Sequence, residues 1–161
     1  MPDTPDLDAL FLTLQTPMDN SADTESMIWQ VWCSHEQPEA QSAMNDIVKA
    51  FDDGKITQAD QALADLISRW PTWAEAWNKR ATLRFVQERD VESLQDVVKT
   101  LVLEPRHFGA LGGFGQICLR LGEPHWALLG FKKAIEINPN MTKTMADVIT
   151  DLEQFVARDT H

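Results

Sequence analysis

Cys33-Ser34-His35-Glu36 is the densest run of potentially reactive side chains in the sequence. A thiol, an imidazole and a carboxylate within four residues hold the pieces of a nucleophile with its base, or of a zinc site. Zinc needs four ligands, commonly two pairs at fixed spacing, and no second pair stands at such a spacing. His107, His125 and His161 have no acidic or cysteine partner at motif spacing. The other cysteine, Cys118, is expected to fill a core slot, the usual fate of a lone thiol. Gly109-Ala110-Leu111-Gly112-Gly113-Phe114-Gly115 is rich in glycine but follows no strand, so it is not a dinucleotide fingerprint. The residue types thus predict no catalytic centre, no metal and no cofactor. They shift attention to the elements that would present a binding surface.

Those elements repeat. Pro71, Pro105 and Pro139 stand 34 residues apart, and each closes a stretch with helical apolar spacing. A fixed period of that length marks stacked two-helix units. The periodicity predicts helices over residues 40–53, 56–69, 72–88, 90–103, 107–121 and 124–137, and a last one from Asn140 onward. Thr57 and Asp90 are the expected N-caps of two of them, and Thr72 with Glu75 has capping-box spacing. Gly54 and Gly122 are stop signals, and Pro124 suits a first helical position. The last helix carries Met145, Val148, Ile149, Leu152, Phe155 and Val156 on one stripe, as a cap over the end of a stack requires. Residues 1–38 are less regular. Leu7, Leu10, Phe11 and Leu14 have helical spacing, as do Ile28, Trp29 and Trp32, with breaks at Thr16-Pro17 and Asp19-Asn20-Ser21. This segment reads as an acidic helical arm or as a degenerate extra pair.

Composition bounds the partners. Of 161 residues, 43% are apolar and 24% charged, ordinary values for a globular protein. The formal charge of −11 is concentrated at the front, where residues 1–60 carry twelve Asp/Glu against Lys49 and Lys55. Nucleic acid is an unfavourable partner for such a chain, because phosphate binding needs a concentrated positive face. The acidic front either solubilises the chain or steers a basic partner by long-range attraction. No apolar run reaches the roughly 18 residues that cross a membrane. Met1-Pro2-Asp3-Thr4-Pro5 lacks the basic end and apolar stretch of a secretory signal, so a cytoplasmic setting is expected.

The repeat residues resemble the tetratricopeptide repeat family. Leu111, Phe114-Gly115, Ala127, Phe131, Ala134 and Pro139 match its signature in the last unit. Trp77, Ala81 and Pro105 carry it in the middle unit, with departures at Arg80, Arg84 and Ser93. The first unit keeps Gly54, Ala59, Leu63, Leu66 and Pro71. The stretch Glu104–Leu111 is also similar to uncharacterised bacterial members. The resemblance implies an all-α, right-handed α-solenoid of about three helix pairs, over residues 40–73, 74–107 and 108–140. Residues 1–38 would form the arm and 141–161 the capping helix and tail.

In this family the first helices of successive units line a concave wall that binds peptides. Residues 34 apart would then sit side by side: Met44, Asn78 and Gly112 in one row, Val48, Thr82 and Gln116 in a second, Phe51, Phe85 and Leu119 in an apolar third. Such a lane suits an amphipathic helix or apolar strip, although apolar stripes on helices are as often core. Some members grip a terminal carboxylate with basic side chains. The matching places here hold Met44, Val48, Lys79, Gly109 and Gly113, of which only Lys79 is basic, which disfavours that grip. Gly109 and Gly112 would leave a bare patch for a docked helix, either a partner's or residues 6–15 of this chain. The function expected is a non-catalytic adaptor holding a protein or peptide segment. The alternative is a homo-oligomerisation module using the arm or an exposed tryptophan face.

Overall fold

The computed structural model describes residues 5–16 and 21–160, and all its regular elements are helical. The helices are α1 (Leu7–Gln15), α2 (Ser21–Trp32), α3 (Pro38–Asp52), α4 (Ile56–Arg69), α5 (Ala74–Val86), α6 (Asp90–Leu103), α7 (Phe108–Arg120), α8 (Pro124–Ile137) and α9 (Thr142–Asp159). A single 3₁₀ turn, Pro139–Met141, leads into α9. The expected breaks at Pro17 and at Asp19-Asn20, and the termini Met1–Thr4 and His161, lie outside the described residues. Ser21 is the first residue of α2.

Each pair turns by the same backbone device. Gly54 and Gly122 have φ of +71° and +76°, and Glu88, midway between them at the 34-residue period, has φ of 59°. The left-handed residue lets two amides reach back into the preceding helix, the six-to-one and five-to-two bonds of a Schellman motif. Lys55 N donates to Ala50 O, Arg89 N to Arg84 O and Glu123 N to Cys118 O, each at 2.8 Å. Gly54 N donates to Phe51 O, Glu88 N to Phe85 O and Gly122 N to Leu119 O at 3.0, 3.0 and 3.1 Å. The middle repeat keeps the turn without its glycine.

The helix starts differ from the sequence expectation. Lys55, Trp73 and Arg89 occupy the N-cap positions of α4, α5 and α6 and make no side-chain cap bond. Thr57 and Asp90 therefore stand inside their helices, and the Thr72–Glu75 box does not form. At α4 and α6 the tight turn fixes where the second helix of the pair begins, so no polar cap is needed to choose the residue. Glu75 is instead buried within α5.

The chain divides into two compact units, residues 32–105 and residues 1–31 with 106–161. In the first unit α3 packs on α4, α4 on α5 and α5 on α6. Ala40, Met44, Ile47, Leu63, Leu66, Ile67, Trp73 and Ala76 form one core cluster, and Ala50, Ala59 and Leu83 a second. In the other unit α7 packs on α8 and α8 on α9. Cys118, Ala127, Phe131, Ile149 and Leu152 make its core. The close approach of α7 and α8 depends on two glycines. A Cβ at Gly115 would lie 2.6 Å from Phe131, and one at Gly130 would lie 2.7 Å from Phe114 and 3.1 Å from the Gly115 nitrogen.

The middle repeat departs from the family pattern for a visible reason. Arg80 grips Asp96 through two bonds of 3.0 Å, and Arg84 adds a third at 2.7 Å. Ser93 Oγ donates to Ala81 O at 2.7 Å. Asp96 and Ser93 are buried, so α5 and α6 are joined by a desolvated charge cluster where the pattern calls for apolar contact.

Candidate functional site

In the 32–105 unit the predicted wall residues separate by burial. Met44 is 1% exposed and belongs to the core between helices. This corrects the expectation that it faces a partner: it lies among Ala40, Ile47 and Leu63, on the α3 face that closes the pair. Val48 and Thr82 are exposed, whereas Phe51 and Phe85 are half-buried. Phe51 packs against both core clusters, so it too serves the pair more than the surface. Thr82 Oγ donates back to Asn78 O at 3.1 Å.

A polar pocket within α5 holds the remaining predicted residues. Asn78 Nδ2 donates to Glu75 Oε1 at 3.2 Å, and Lys79 Nζ stands 3.4 Å from the same oxygen. The ammonium of Lys79 is thereby committed to a fully buried carboxylate. Burial, and secondarily the Glu75 charge, push the Cys33 thiol up to about 11, with Lys79 pulling the other way. A thiol in that state is a poor nucleophile. His35 is held by the turn that follows: its Nδ1 accepts from Gln37 N at 3.0 Å, and its ring lies 4.8 Å from that of Trp73 and 5.9 Å from that of Trp70. Trp73 Nε1 donates to Trp32 O at 2.8 Å. The Cys33–Glu36 run is thus a structural elbow. Among the described residues, no group of three or more His, Cys, Asp or Glu side chains is placed to hold a metal ion.

In the other unit the predicted third-repeat residues are mostly covered by the chain itself. Gly109 lies under Trp29 of α2, where a Cβ would meet the indole Cη2 at 2.5 Å. Trp29 stands edge-on to His107 at 5.3 Å and to Phe108 at 5.6 Å. His107 is the N-cap of α7, a role the sequence did not suggest; its Nδ1 accepts from Ala110 N at 3.0 Å. Gly112 is buried opposite Met145 and Met141, whose methyl groups would lie 3.0 and 3.3 Å from a Cβ. Leu119 packs against the core formed with α9 and lines a cleft of about 390 Å³ with Pro124, Val148, Leu152 and Phe155. Gln116 is exposed. Gly112 and Leu119 are therefore corrected from open wall to contacts of the C-terminal helix. Their apolar character, legible in the sequence, did not say which helix would use it.

The docked helix expected at Gly109 is present, but it is α2, not residues 6–15. Asn140 Nδ2 holds it by donating to Ser21 O at 3.1 Å and to Glu25 Oε2 at 3.2 Å. Helix α1 lies nearby: Phe11 meets Phe108 edge-on at 6.3 Å, and Arg106 stacks over Phe11 at 4.5 Å while bonding Asp8 at 2.8 Å. Gln15 Nε2 donates to Glu136 O at 3.1 Å, occupying a free carbonyl at the end of α8. The spacing of Ile28, Trp29 and Trp32 was the available signal for α2; nothing in it specified a glycine seat. No described helix is long and apolar enough to cross a membrane.

No family model matches the chain. In sequence it is 36% identical over 91 residues to a TPR repeat-containing protein of Rhizobium etli, covering 56% of this chain and 45% of that one. It is 31% identical over 77 residues to anaphase-promoting complex subunit 7 of Dictyostelium discoideum, covering 48% of this chain and 13% of that one. The chain thus spans less than half the length of these curated relatives. In structure it is similar to the first TPR of Spaghetti (RPAP3) bound to the HSP90 peptide SRMEEVD, with a TM-score of 0.68 and 18% identity over 73% of this chain and 93% of that one. It is similar also to the Sgt2 TPR domain of Aspergillus fumigatus, with a TM-score of 0.68 and 15% identity over 77% and 83%. The chain resembles tetratricopeptide-repeat proteins, a bacterial one among them, and it has their fold.

Proposed function

We propose that the chain is a non-catalytic protein-interaction module that holds an apolar or helical segment of another protein on the first helix of a repeat. The observation that carries this reading is the Trp29–Gly109 seat, where the first helix of the last repeat already holds an amphipathic helix by an aromatic anchor. The likeness to a TPR domain bound to a peptide supports it. Recognition of a free carboxylate terminus by charge is disfavoured, because Lys79 is engaged by buried Glu75. Self-association through the arm is disfavoured as well, since α1 and α2 contact α7, α8 and Asn140 of their own unit. The acidic front end favours a protein or peptide partner over nucleic acid. The two unbridged thiols suit the cytoplasm, where disulfides are rare.

The test is selection of binding peptides from a displayed library of helix-forming sequences on the purified chain. Winners are then measured against Val48→Arg, Thr82→Arg and Gln116→Arg, which alter exposed side chains on α3, α5 and α7 and leave the core intact. Loss of binding by tenfold or more in any of the three supports the reading. Undiminished binding in all three, or a library that yields no binder, refutes it.

A further inference from the structure

We propose that the cleft between α7, α8 and α9 is a second docking site, and that it takes a partner segment with an apolar side chain and a lysine or arginine one helical turn away. The site extends the proposed function to a surface that shares none of the residues Val48, Thr82 and Gln116, so each can fail while the other stands. The cleft holds about 390 Å³ and is lined by Leu119 near the end of α7, Pro124 at the start of α8, and Val148, Asp151, Leu152 and Phe155 of α9. Ligand sites commonly measure about 300–1,000 Å³. The four α9 residues follow the spacing i, i+3, i+4, i+7, which gathers them on one helix face. The floor is firm: Leu152 belongs to the buried core, and Leu119 and Val148 pack against it. Phe155 stands at the open side, 52% exposed.

The cleft lacks a counter-charge. Among the described residues, Asp151 makes no hydrogen bond and no ion pair, and neither does Asp147 one turn before it. Other acids of α9 are engaged: Glu153 pairs with Lys132 at 2.8 Å, and Asp159 stands 3.3 Å from His125. Residues four apart on a helix are neighbours, so the Asp151 carboxylate and the Phe155 ring act on one place. A carboxylate beside an aromatic face is a two-part site for a cation, one part by charge and the other by the ring quadrupole. The apolar side chain next to that cation would cover Leu119, Val148 and Leu152, removing their surface from water. An acidic segment would meet repulsion from both aspartates. The formal charge of −11 acts in the same sense at longer range, drawing basic segments in and opposing a second copy of the chain.

The test uses three alanine-based helical peptides, each with one phenylalanine and, one turn away, a lysine, a glutamine or a glutamate. Each is titrated into the isotope-labelled whole chain and followed by backbone amide NMR, which reads millimolar affinities and locates the contact. The lysine peptide should shift the amides of Leu119, Val148, Asp151, Leu152 and Phe155, and should bind about tenfold more tightly than the glutamate peptide. Swapping attraction for repulsion counts the charge pair twice and also removes the cation from the ring. Asp151→Lys should erase that preference, whereas Asp65→Lys, an equal change of charge at an exposed position on α4, should leave it. Phe155→Ala should weaken the lysine peptide about tenfold. Should Asp151→Lys fail to fold, Asp151→Asn replaces it and should cut the preference at least threefold. Equal affinity for the lysine and glutamate peptides, a preference that survives at position 151, or shifts that miss the cleft overturn the proposal. So does a wild-type dimer in sedimentation that Phe155→Ala dissolves, since a second copy would then be the occupant.

Discussion

Replacing Glu88 by glycine should stabilise the protein by about 0.5–1 kcal/mol. Glu88 holds φ of 59° at the turn between α5 and α6, the place that Gly54 and Gly122 fill in the flanking repeats. A left-handed conformation costs an L-residue about 1–2 kcal/mol, through the clash of Cβ with the following carbonyl. Glycine removes that cost but loses about 0.5–1 kcal/mol more backbone entropy on folding, which leaves the smaller net gain. The Glu88 side chain is exposed, so its removal forfeits little packing. The turn's two amide bonds, at 3.0 and 2.8 Å, come from the backbone and survive the change. For a chain of this size the gain corresponds to a rise in Tm of about 1–4 °C, readable by scanning calorimetry or circular dichroism. The reciprocal variant Gly122→Ala meets no neighbour within 4 Å, so its expected loss of about 1 kcal/mol comes from φ alone. A destabilised Glu88→Gly beside an unaffected Gly122→Ala would refute the equivalence of the three turns.

Further outcomes follow from the packing and burial described above. On α7, Gly113 has nothing within 4 Å of a built Cβ, so Gly113→Ala should gain about 0.8–1 kcal/mol in urea denaturation. Gly115→Ala should lose about 1 kcal/mol or more, as its Cβ runs into the Phe131 ring. Asp96→Ala should cost about 3 kcal/mol by leaving Arg80 and Arg84 without their shared anion; a loss below about 1 kcal/mol would mean that water already screens the cluster. For Cys33, the raised pKa keeps the thiol protonated in the folded state while the unfolded chain ionises first. Its contribution to stability is therefore complete below about pH 9 and falls between about pH 9 and 11. Alkylation mapped by mass spectrometry at pH 8 should find Cys33 more than tenfold slower in the folded chain than in the urea-unfolded one.

The period of the repeats was legible because it is local and redundant. Pro71, Pro105 and Pro139 forbid helix at fixed intervals, and α4 and α8 begin and end where the apolar spacing and Pro124 place them. The positions that would form a wall were much less legible. A pattern of apolar residues says that a face is buried, not by what: Met44 went to its own pair, while Gly112 and Leu119 went to the turn before α9 and to α9 itself.

The sequence by itself determined the helix pairs, their turns and the lack of a zinc-like ligand spacing, all consequences of steric and periodic constraints acting over a few residues. Tertiary structure alone decided the rest. It placed Trp29 of α2, rather than a side chain from residues 6–15, over Gly109. It also turned the three departures at Arg80, Arg84 and Ser93 into bonds across α5 and α6. Those contacts join residues far apart in the chain or on separate helices, and their choice depends on shape and desolvation at the meeting point, which no local spacing encodes.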